Sequence, residues 1–344
     1  MIKIGNREIS TDAPPLVIAE IGINHNGCLL TAKNMVLLAA KSGCEVIKHQ
    51  THFVEDEMTE EAKNIFPPNA DQSIWDVISS SSLTKDEEIS LKRYTEDLGL
   101  IYISTPFSRS AADFLYDINV PAYKIGSGEC DNPLFLKHVA SKGLPIIMST
   151  GMQSIETLRP MVDLLMEADI PLALLECTSL YPSPPETVNL DGIIQLKESF
   201  PKVEVGFSDH SIGPYMALAS VALGATIIER HFTDSRYRQG PDIIASMDPA
   251  ELKLIIERSK EIWSAKQNYK HLKFEEEKVY KFARASLVAD RDLKKGQIIE
   301  MEDIWARRPG NGEIPGFEYE KVVGKKLLKN LNRNEQICWS DISE

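Results

Sequence analysis

Eight short apolar runs, each closing on polar or ionisable residues, occupy the first three quarters of the chain, at 16–22, 45–51, 99–105, 122–128, 145–150, 172–178, 203–209 and 225–232. Near-continuous hydrophobicity over so few residues reads as parallel strands buried on both faces. The segments between and after them, at 29–42, 85–98, 110–116, 133–141, 155–168, 190–200, 214–223 and 249–266, have helical spacing. Strands alternating with helices make βαβ units, and eight such units close into a (β/α)8 TIM barrel. A barrel of this kind carries its chemistry at the C-terminal ends of the strands. The polar residues of this chain fall there.

A barrel takes about 250 residues, so a chain of 344 has room for a small second domain. We assign 1–265 to the barrel, the charged stretch 266–281 to a linker and 282–344 to the second domain. That domain holds a weak internal repeat, in which 292–304 aligns without gaps on 330–342, with Gly296 and Asn334 at the matching turn position. Both residue types tolerate a left-handed backbone, so each copy predicts a tight turn, a short strand and an Asp-capped turn. The stretch 51–83 is far longer than an ordinary βα loop, and long loops on a rigid barrel serve as binding loops or lids.

Net charge is −13 and the pI is near 5.1, which disfavours nucleic acid or an anionic membrane as partner and means that an anionic substrate needs a local basic pocket. The five cysteines, Cys28, Cys44, Cys130, Cys177 and Cys338, are odd in number and lack CxxC pairing. Neither a disulfide framework nor a zinc–cysteine site is expected. With no basic start leading into an apolar segment, and no apolar run near the ~20 residues of a membrane span, a soluble cytoplasmic protein is expected.

Residues two apart on a strand share a face, so Lys48 and Gln50 point together, as do Ser208 with His210 and Glu229 with His231. His210 and His231 end neighbouring strands and can hold a divalent metal with open positions for water, or stand as hydrogen-bonded structural residues. Ligand type does not separate Mn²⁺, Mg²⁺ and Zn²⁺. Lys48 and Lys124 share the mouth with Ser104, Thr105, Ser127, Ser149, Thr150 and Thr178. Cations among hydroxyls describe a phosphate or carboxylate pocket, although either lysine alone can be balancing Glu20, Glu129 or Glu229. Glu20 and Glu129 read as an acid/base pair, as acceptors for sugar hydroxyls, or as counter-charges. Arg308, before the Pro309-Gly310 turn, is a solvated turn residue or an arm reaching into a neighbouring site.

With these residues in view, the chain resembles the sialic acid synthase family along its whole length. The resemblance rests on AEIGINHNG at 19–27, KHQT at 48–51, STPF at 104–107, YKIGSGE at 123–129, STGM at 149–152, CTSLYP at 177–182, GFSDH at 206–210, ERHFT at 229–233 and GPD at 240–242. At the C-terminus, RPG at 308–310 and VGKK at 323–326 resemble that family's antifreeze-like (SAF) domain, which implies a small β-rich fold.

The resemblance implies condensation of phosphoenolpyruvate with N-acetylmannosamine to give N-acetylneuraminate and phosphate by C–O cleavage. It implies a divalent ion, Mn²⁺ with Mg²⁺ or Co²⁺ as alternatives, held by His210 and His231. Glu129, Glu20 and Lys124 take the catalytic positions. Lys48, Ser127, Ser149 and Ser208, with Asn69 and Thr105 nearby, bind phosphate and carboxylate, and Gln50, Tyr181 and Asp242 join Glu20 on the amino sugar. Arg308 comes from the partner of a homodimer with swapped C-terminal domains and contacts the N-acetyl group.

Glu176 and Ser179 depart from the family pattern near the sixth strand's end. Glu176, placed inward by parity with Thr178, adds negative charge near anionic ligands and brings in diacetamido-trideoxy hexoses, the precursors of legionaminic and pseudaminic acids, as alternative substrates. Two further readings belong to other classes. A Schiff-base aldolase would use Lys124 or Lys48 as nucleophile and survive chelation, and a non-catalytic sugar-binding protein would keep its affinity without the histidines.

Overall fold

The computed structural model describes residues 2–67, 71–266 and 273–343. The chain divides into two compact units, 1–268 and 269–344. In the first, strands β3 (Leu16–Gly22), β4 (Val46–Thr51), β5 (Ile101–Pro106), β6 (Tyr123–Ile125), β7 (Ile146–Ser149), β8 (Leu172–Cys177), β9 (Glu204–Ser208) and β10 (Ile227–His231) run parallel in sequence order. The last pairs with the first, Ile227 opposite Leu16 and His231 opposite Glu20, closing the expected barrel.

An antiparallel hairpin precedes the barrel, β1 (Ile2–Ile4) paired with β2 (Arg7–Ile9). The sequence reading passed over it, because strands this short give no period to detect. Ile2, Ile4 and Ile9 pack with Leu16, Ile18, Val46, Ile103, Ala122, Ile147, Ala173, Leu175 and Ile227 in one buried cluster. These strand residues are the inward-facing set at the N-terminal end of the barrel, and the hairpin seals that end with aliphatic side chains. Continuing each strand by twos leads from this apolar floor to the mouth: Leu16, Ile18, Glu20; Val46, Lys48, Gln50; Ala173, Leu175, Cys177; Ile227, Glu229, His231. The outward residues, among them Val17, Ala19, Tyr102, Leu172, Leu174 and Phe207, pack under the helices.

The helices are α1 (Leu29–Lys41), α2 (Val54–Glu57), α3 (Ile74–Ser81), α4 (Lys85–Asp97), α5 (Arg109–Asp117), α6 (Pro133–Ala140), α7 (Ile155–Glu167), α8 (Gly192–Ser199), α9 (Tyr215–Ala222) and α10 (Pro249–Lys266). Their starts are written in the sequence. Ser73, Thr84, Ser108, Asn132 and Ser154 each accept a hydrogen bond from the backbone N–H three residues on, and Thr84 with Glu87 completes a capping box. The long connection after β4 holds α2, a 3-10 turn over Glu60–Asn64, and α3. Among the described residues no helix is long and apolar enough to cross a membrane.

In the second unit, α11 (Glu277–Ala283) leads into β11 (Ser286–Ala289), which pairs antiparallel with β12 (Ile304–Arg307). Of the stretch expected as linker, 267–272 lie outside the described residues, and 277–281 are helical. The internal repeat is structural. Gly296 and Asn334 take φ of +89° and +70°, Leu293 bridges Leu331, and the buried Asp303 and Asp341 each accept from the backbone N–H three residues before, at 2.9 Å. The short strand expected in each copy is reduced to isolated bridges, Ile298 to Lys326 and Gln336 to Val288.

Candidate active site

The mouth of the barrel encloses a cavity of about 270 Å³ lined by Glu20, Lys48, Gln50, Thr105, Lys124, Ser127, Glu129, Ser149, Tyr181, Ser208, Glu229, His210 and His231, with Phe107, Met152, Cys177 and Ser179. Lys48 Nζ donates to Glu20 Oε1 at 2.5 Å and to Thr105 Oγ1 at 3.3 Å, and lies 3.4 Å from Glu229 Oε1. Lys124 Nζ donates to Ser149 Oγ at 2.7 Å and to the Ile125 carbonyl at 2.8 Å, and lies 3.7 Å from the same Glu229 oxygen. Two buried ammoniums therefore share one carboxylate. Burial alone would lower both lysines; Glu20 and Glu229 lift Lys48 above the ordinary lysine range, whereas burial prevails at Lys124 and leaves it lowered.

Glu129 reaches this mouth by a route the sequence reading did not foresee. The fourth barrel strand stops at Ile125 rather than running through Gly128, and a turn with Glu129 N–H on the Gly126 carbonyl at 3.2 Å brings the side chain back across the strand end. A Cβ at position 126 would stand 2.5 Å from Glu129 Oε2, so the carboxylate keeps this place only beside a glycine. Burial, reinforced by the nearby Glu57, pushes the Glu129 carboxyl up to about 7. Glu20 is the opposite case. Burial would raise it, but His231 and Lys48 hold it well below the usual carboxylate range.

His210 Nδ1 donates to the Thr178 carbonyl at 2.8 Å and lies 3.9 Å from Cys177 Sγ. Burial opposes protonation of His210, yet the Cys177 sulfur and the Thr178 carbonyl raise it to about 9. His231 Nδ1 faces Glu20 Oε2 at 3.4 Å and Asp242 Oδ2 at 3.8 Å. The two imidazole centroids are 5.4 Å apart, and the Tyr181 ring packs on both, at 4.1 Å from His210 and 5.7 Å from His231.

Three buried polar atoms at the mouth, Glu129 Oε2, Glu229 Oε2 and His231 Nδ1, have no hydrogen-bond partner. Buried polar groups in folded proteins are nearly always satisfied, and unmet capacity converging on one cavity marks a place where something else binds. The histidine pair fits a divalent ion in one specific way. With Nδ1 of His210 committed to a carbonyl, Nε2 is the nitrogen that could meet an ion once it gives up its proton, the usual outer-shell arrangement for a ligating imidazole. Among the described residues no group of three or more His, Cys, Asp or Glu converges as a metal cage, so an ion here would draw its remaining ligands from water and substrate.

Of the residues singled out from sequence, Asp242 sits beside His231 but not on the cavity wall. Asn69 lies outside the described residues. Arg308 belongs to the second unit, where it is exposed and lines a shallow pocket with Arg307, Arg333 and Asn334. Glu176 is a correction. It shares a face with Thr178, as the parity rule says, but that face is the outer one. Its carboxylate lies against Gly192 and Asn189 at the start of α8, where a Cβ on Gly192 would come within 2.6 Å of it, and burial there raises it to about 7. Cys177, which continues the inward series Ala173, Leu175, takes the place at the mouth; counting from the apolar floor would have found it.

The chain matches the NeuB family over residues 35–271 and the SAF domain over 284–343. The chain belongs to the NeuB family. It is an enzyme of that family, a transferase. NeuB-family relatives include the N,N'-diacetyllegionaminic acid synthase of Campylobacter jejuni, 35% identical with 94% of this chain and 98% of the relative covered. The human N-acetylneuraminate-9-phosphate synthase is 31% identical, over 96% of this chain and 93% of that one. Among solved structures, the N-acetylneuraminic acid (sialic acid) synthetase from Leptospira borgpetersenii in complex with citrate superposes with a TM-score of 0.74 at 30% identity, covering 81% of this chain and 94% of that one.

Proposed function

We propose that this NeuB-family enzyme is an N-acetylneuraminate synthase, joining phosphoenolpyruvate to N-acetylmannosamine with release of phosphate. The observation that carries the reading is the pair Lys48 and Lys124 sharing Glu229 opposite the pair His210 and His231, in one cavity with unsatisfied carboxylate oxygens. An acidic protein that buries two ammoniums beside Ser127, Ser149 and Ser208 has built a pocket for an anion carrying both carboxylate and phosphate. Gln50, Glu20 and Tyr181, with Asp242 behind His231, offer the sugar donors and acceptors on the other side.

His210 and His231 would hold a divalent ion, Mn²⁺ or alternatively Mg²⁺ or Co²⁺, and when bound it would supply Lewis-acid polarisation of the open-chain aldehyde. The lysines orient phosphoenolpyruvate so that C3 faces the aldehyde carbon; as the C–C bond forms, the carbonyl π pair moves onto the aldehyde oxygen, which takes up a proton to become a hydroxyl, and C2 is left electron-poor. Water adds at C2, and Glu129, whose carboxyl is pushed up to about 7, takes its proton. The tetrahedral centre then expels phosphate as its C–O bond breaks and the keto acid forms. Lys124 and Ser149 neutralise the departing charge.

A second reading, a diacetamido-trideoxy hexose as acceptor leading to a legionaminic or pseudaminic acid, has relatives behind it, including the Campylobacter legionaminic acid synthase. Glu176 no longer argues for it, because its carboxylate faces away from the mouth. The proposal includes a homodimer with exchanged C-terminal domains, in which Arg308 contacts the N-acetyl group of the sugar bound in the partner subunit's site. Supporting it, the loops and helix starts that follow the barrel strands expose Leu30, Met152, Ile212, Tyr215 and Tyr237, and the second unit exposes Met301, Trp305 and Phe317; apolar patches of this kind mark association surfaces.

Phosphate release from phosphoenolpyruvate, measured with each sugar before and after EDTA and on adding back Mn²⁺, tests the reading. Release that needs N-acetylmannosamine and metal is expected; a higher kcat/KM with the trideoxy sugar would transfer the assignment to the second reading, and no release with either would refute both.

A further inference from the structure

A chain of hydrogen bonds enters the mouth from the long connection after β4. Gln50 Nε2 lies 2.8 Å from Glu20 Oε1, the oxygen that already accepts from the Lys48 ammonium. The atom facing such an acceptor must donate, so the Gln50 amide turns its NH2 to Glu20 and its carbonyl oxygen away. That oxygen, Oε1, is 3.1 Å from His52 Nε2. An amide oxygen only accepts, and His52 Nε2 must therefore carry a proton. On the other side of the ring, His52 Nδ1 lies 2.8 Å from Glu57 Oε2. The Glu57 carboxyl thus braces the ring from its far side.

From this geometry we propose that His52 is a positioning residue of the sugar site, its ring braced by Glu57 and its Nε2–H donated to the Gln50 carbonyl oxygen, so that the Gln50 amide presents one fixed face to the substrate. The proposal rests on the assignment of Gln50 to the sugar. A flipped amide would set oxygen against oxygen at Glu20 and N–H against N–H at His52, so both neighbours oppose the flip. The His52 side chain is only 2% exposed and stacks on Phe107 with centroids 4.2 Å apart and planes at 15°, which leaves water little access to compete. Glu57 is held in turn by its neighbour. Asp56 accepts from the Ser110 backbone N–H at 3.0 Å and from the Ser110 hydroxyl at 2.8 Å, fastening α2 to the first turn of α5. What remains free on Gln50 is one N–H and one lone pair, a preset donor and acceptor for sugar hydroxyl or amide groups. Preorganising them lowers the cost of ordering the site when substrate arrives.

The test uses the full-length enzyme labelled with [15N]histidine and compares it with H52F and E57Q. Phenylalanine keeps the stack on Phe107 while removing both ring nitrogens, and the resonances missing from H52F identify His52. In the unmodified protein the His52 Nε2 is expected to carry a proton whose exchange with water is slowed by its bond to Gln50, and E57Q is expected to speed that exchange; an unprotonated Nε2, or unchanged exchange in E57Q, would overturn the proposal. In kinetics, H52F is expected to raise the sugar KM about tenfold with kcat and the phosphoenolpyruvate KM within about threefold. An unchanged sugar KM, or a uniform loss that follows a lowered Tm, would overturn it. Failure of the unmodified enzyme to release phosphate with any sugar would count against the proposed reaction, while the His52 spectrum would still judge its hold on Gln50.

Discussion

Glu229 sets one carboxylate oxygen 3.4 Å from the Lys48 ammonium and leaves its other oxygen without a partner. That first oxygen is also 3.7 Å from Lys124, so one buried carboxylate balances two buried cations. Removing it strands Lys124 and leaves Lys48 with Glu20 alone. We expect Glu229→Leu to destabilise the fold by about 3 kcal/mol, the scale found when a buried ion pair loses one member, as measured by urea denaturation. Unchanged stability would mean that the lysines are compensated elsewhere.

Glu129 acts as a base only when ionised, and burial pushes its carboxyl up to about 7. The expected kcat/KM profile therefore falls as pH drops below about 7 and levels off above it. Glu129→Gln should lower kcat by a factor of about 100 or more and flatten that limb. A full acid limb surviving in the variant would move the role of base to another group.

Glu176 makes a test of direction. Its folded value of about 7 lies above the ordinary 4.5, so the fold favours the neutral acid; the stability this gives is fully present below pH 4.5 and is lost as pH rises through 7. Glu176→Gln keeps a neutral side chain throughout. It should be more stable than the parent at pH 8, by at most about 3 kcal/mol from 1.36 kcal/mol per pKa unit, with no such gain below pH 4.5. Its sugar KM should not move, because the carboxylate lies outside the barrel wall.

Arg308 carries the exchanged-domain proposal. Arg308→Ala is expected to raise the sugar KM about tenfold while the phosphoenolpyruvate KM holds, and light scattering should give a dimer for both proteins. Sugar kinetics identical to the parent's would end the role proposed for Arg308.

Much of the site was readable because a barrel strand obeys a period of two. Once the strands ending in Lys48, Ser208 and His231 were identified, the side chains converging on the mouth followed from parity alone. Parity says which residues share a face, however, and not which face is inside. Glu176 was placed by reference to Thr178 at the strand's ragged end, when Ala173 and Leu175 at its apolar start would have placed it correctly. Glu129 reaches the site through a turn made by Gly126, Ser127 and Gly128, and its approach depends on backbone geometry beyond the strand. His52 and Glu57 meet because α2 folds back over the strand end under the hold of Asp56 on Ser110, an arrangement with no period to reveal it.

The hairpin whose Ile2, Ile4 and Ile9 close the lower end of the barrel has a kinetic meaning. Among the described residues it packs an aliphatic floor under the cavity, away from the mouth. In the proposed reaction both reactants and the departing phosphate would then pass the same rim, so whichever ligand sits deeper would have to enter first and leave last. Side chains at the far end of the barrel, which touch no substrate, would thereby impose an order on binding and release.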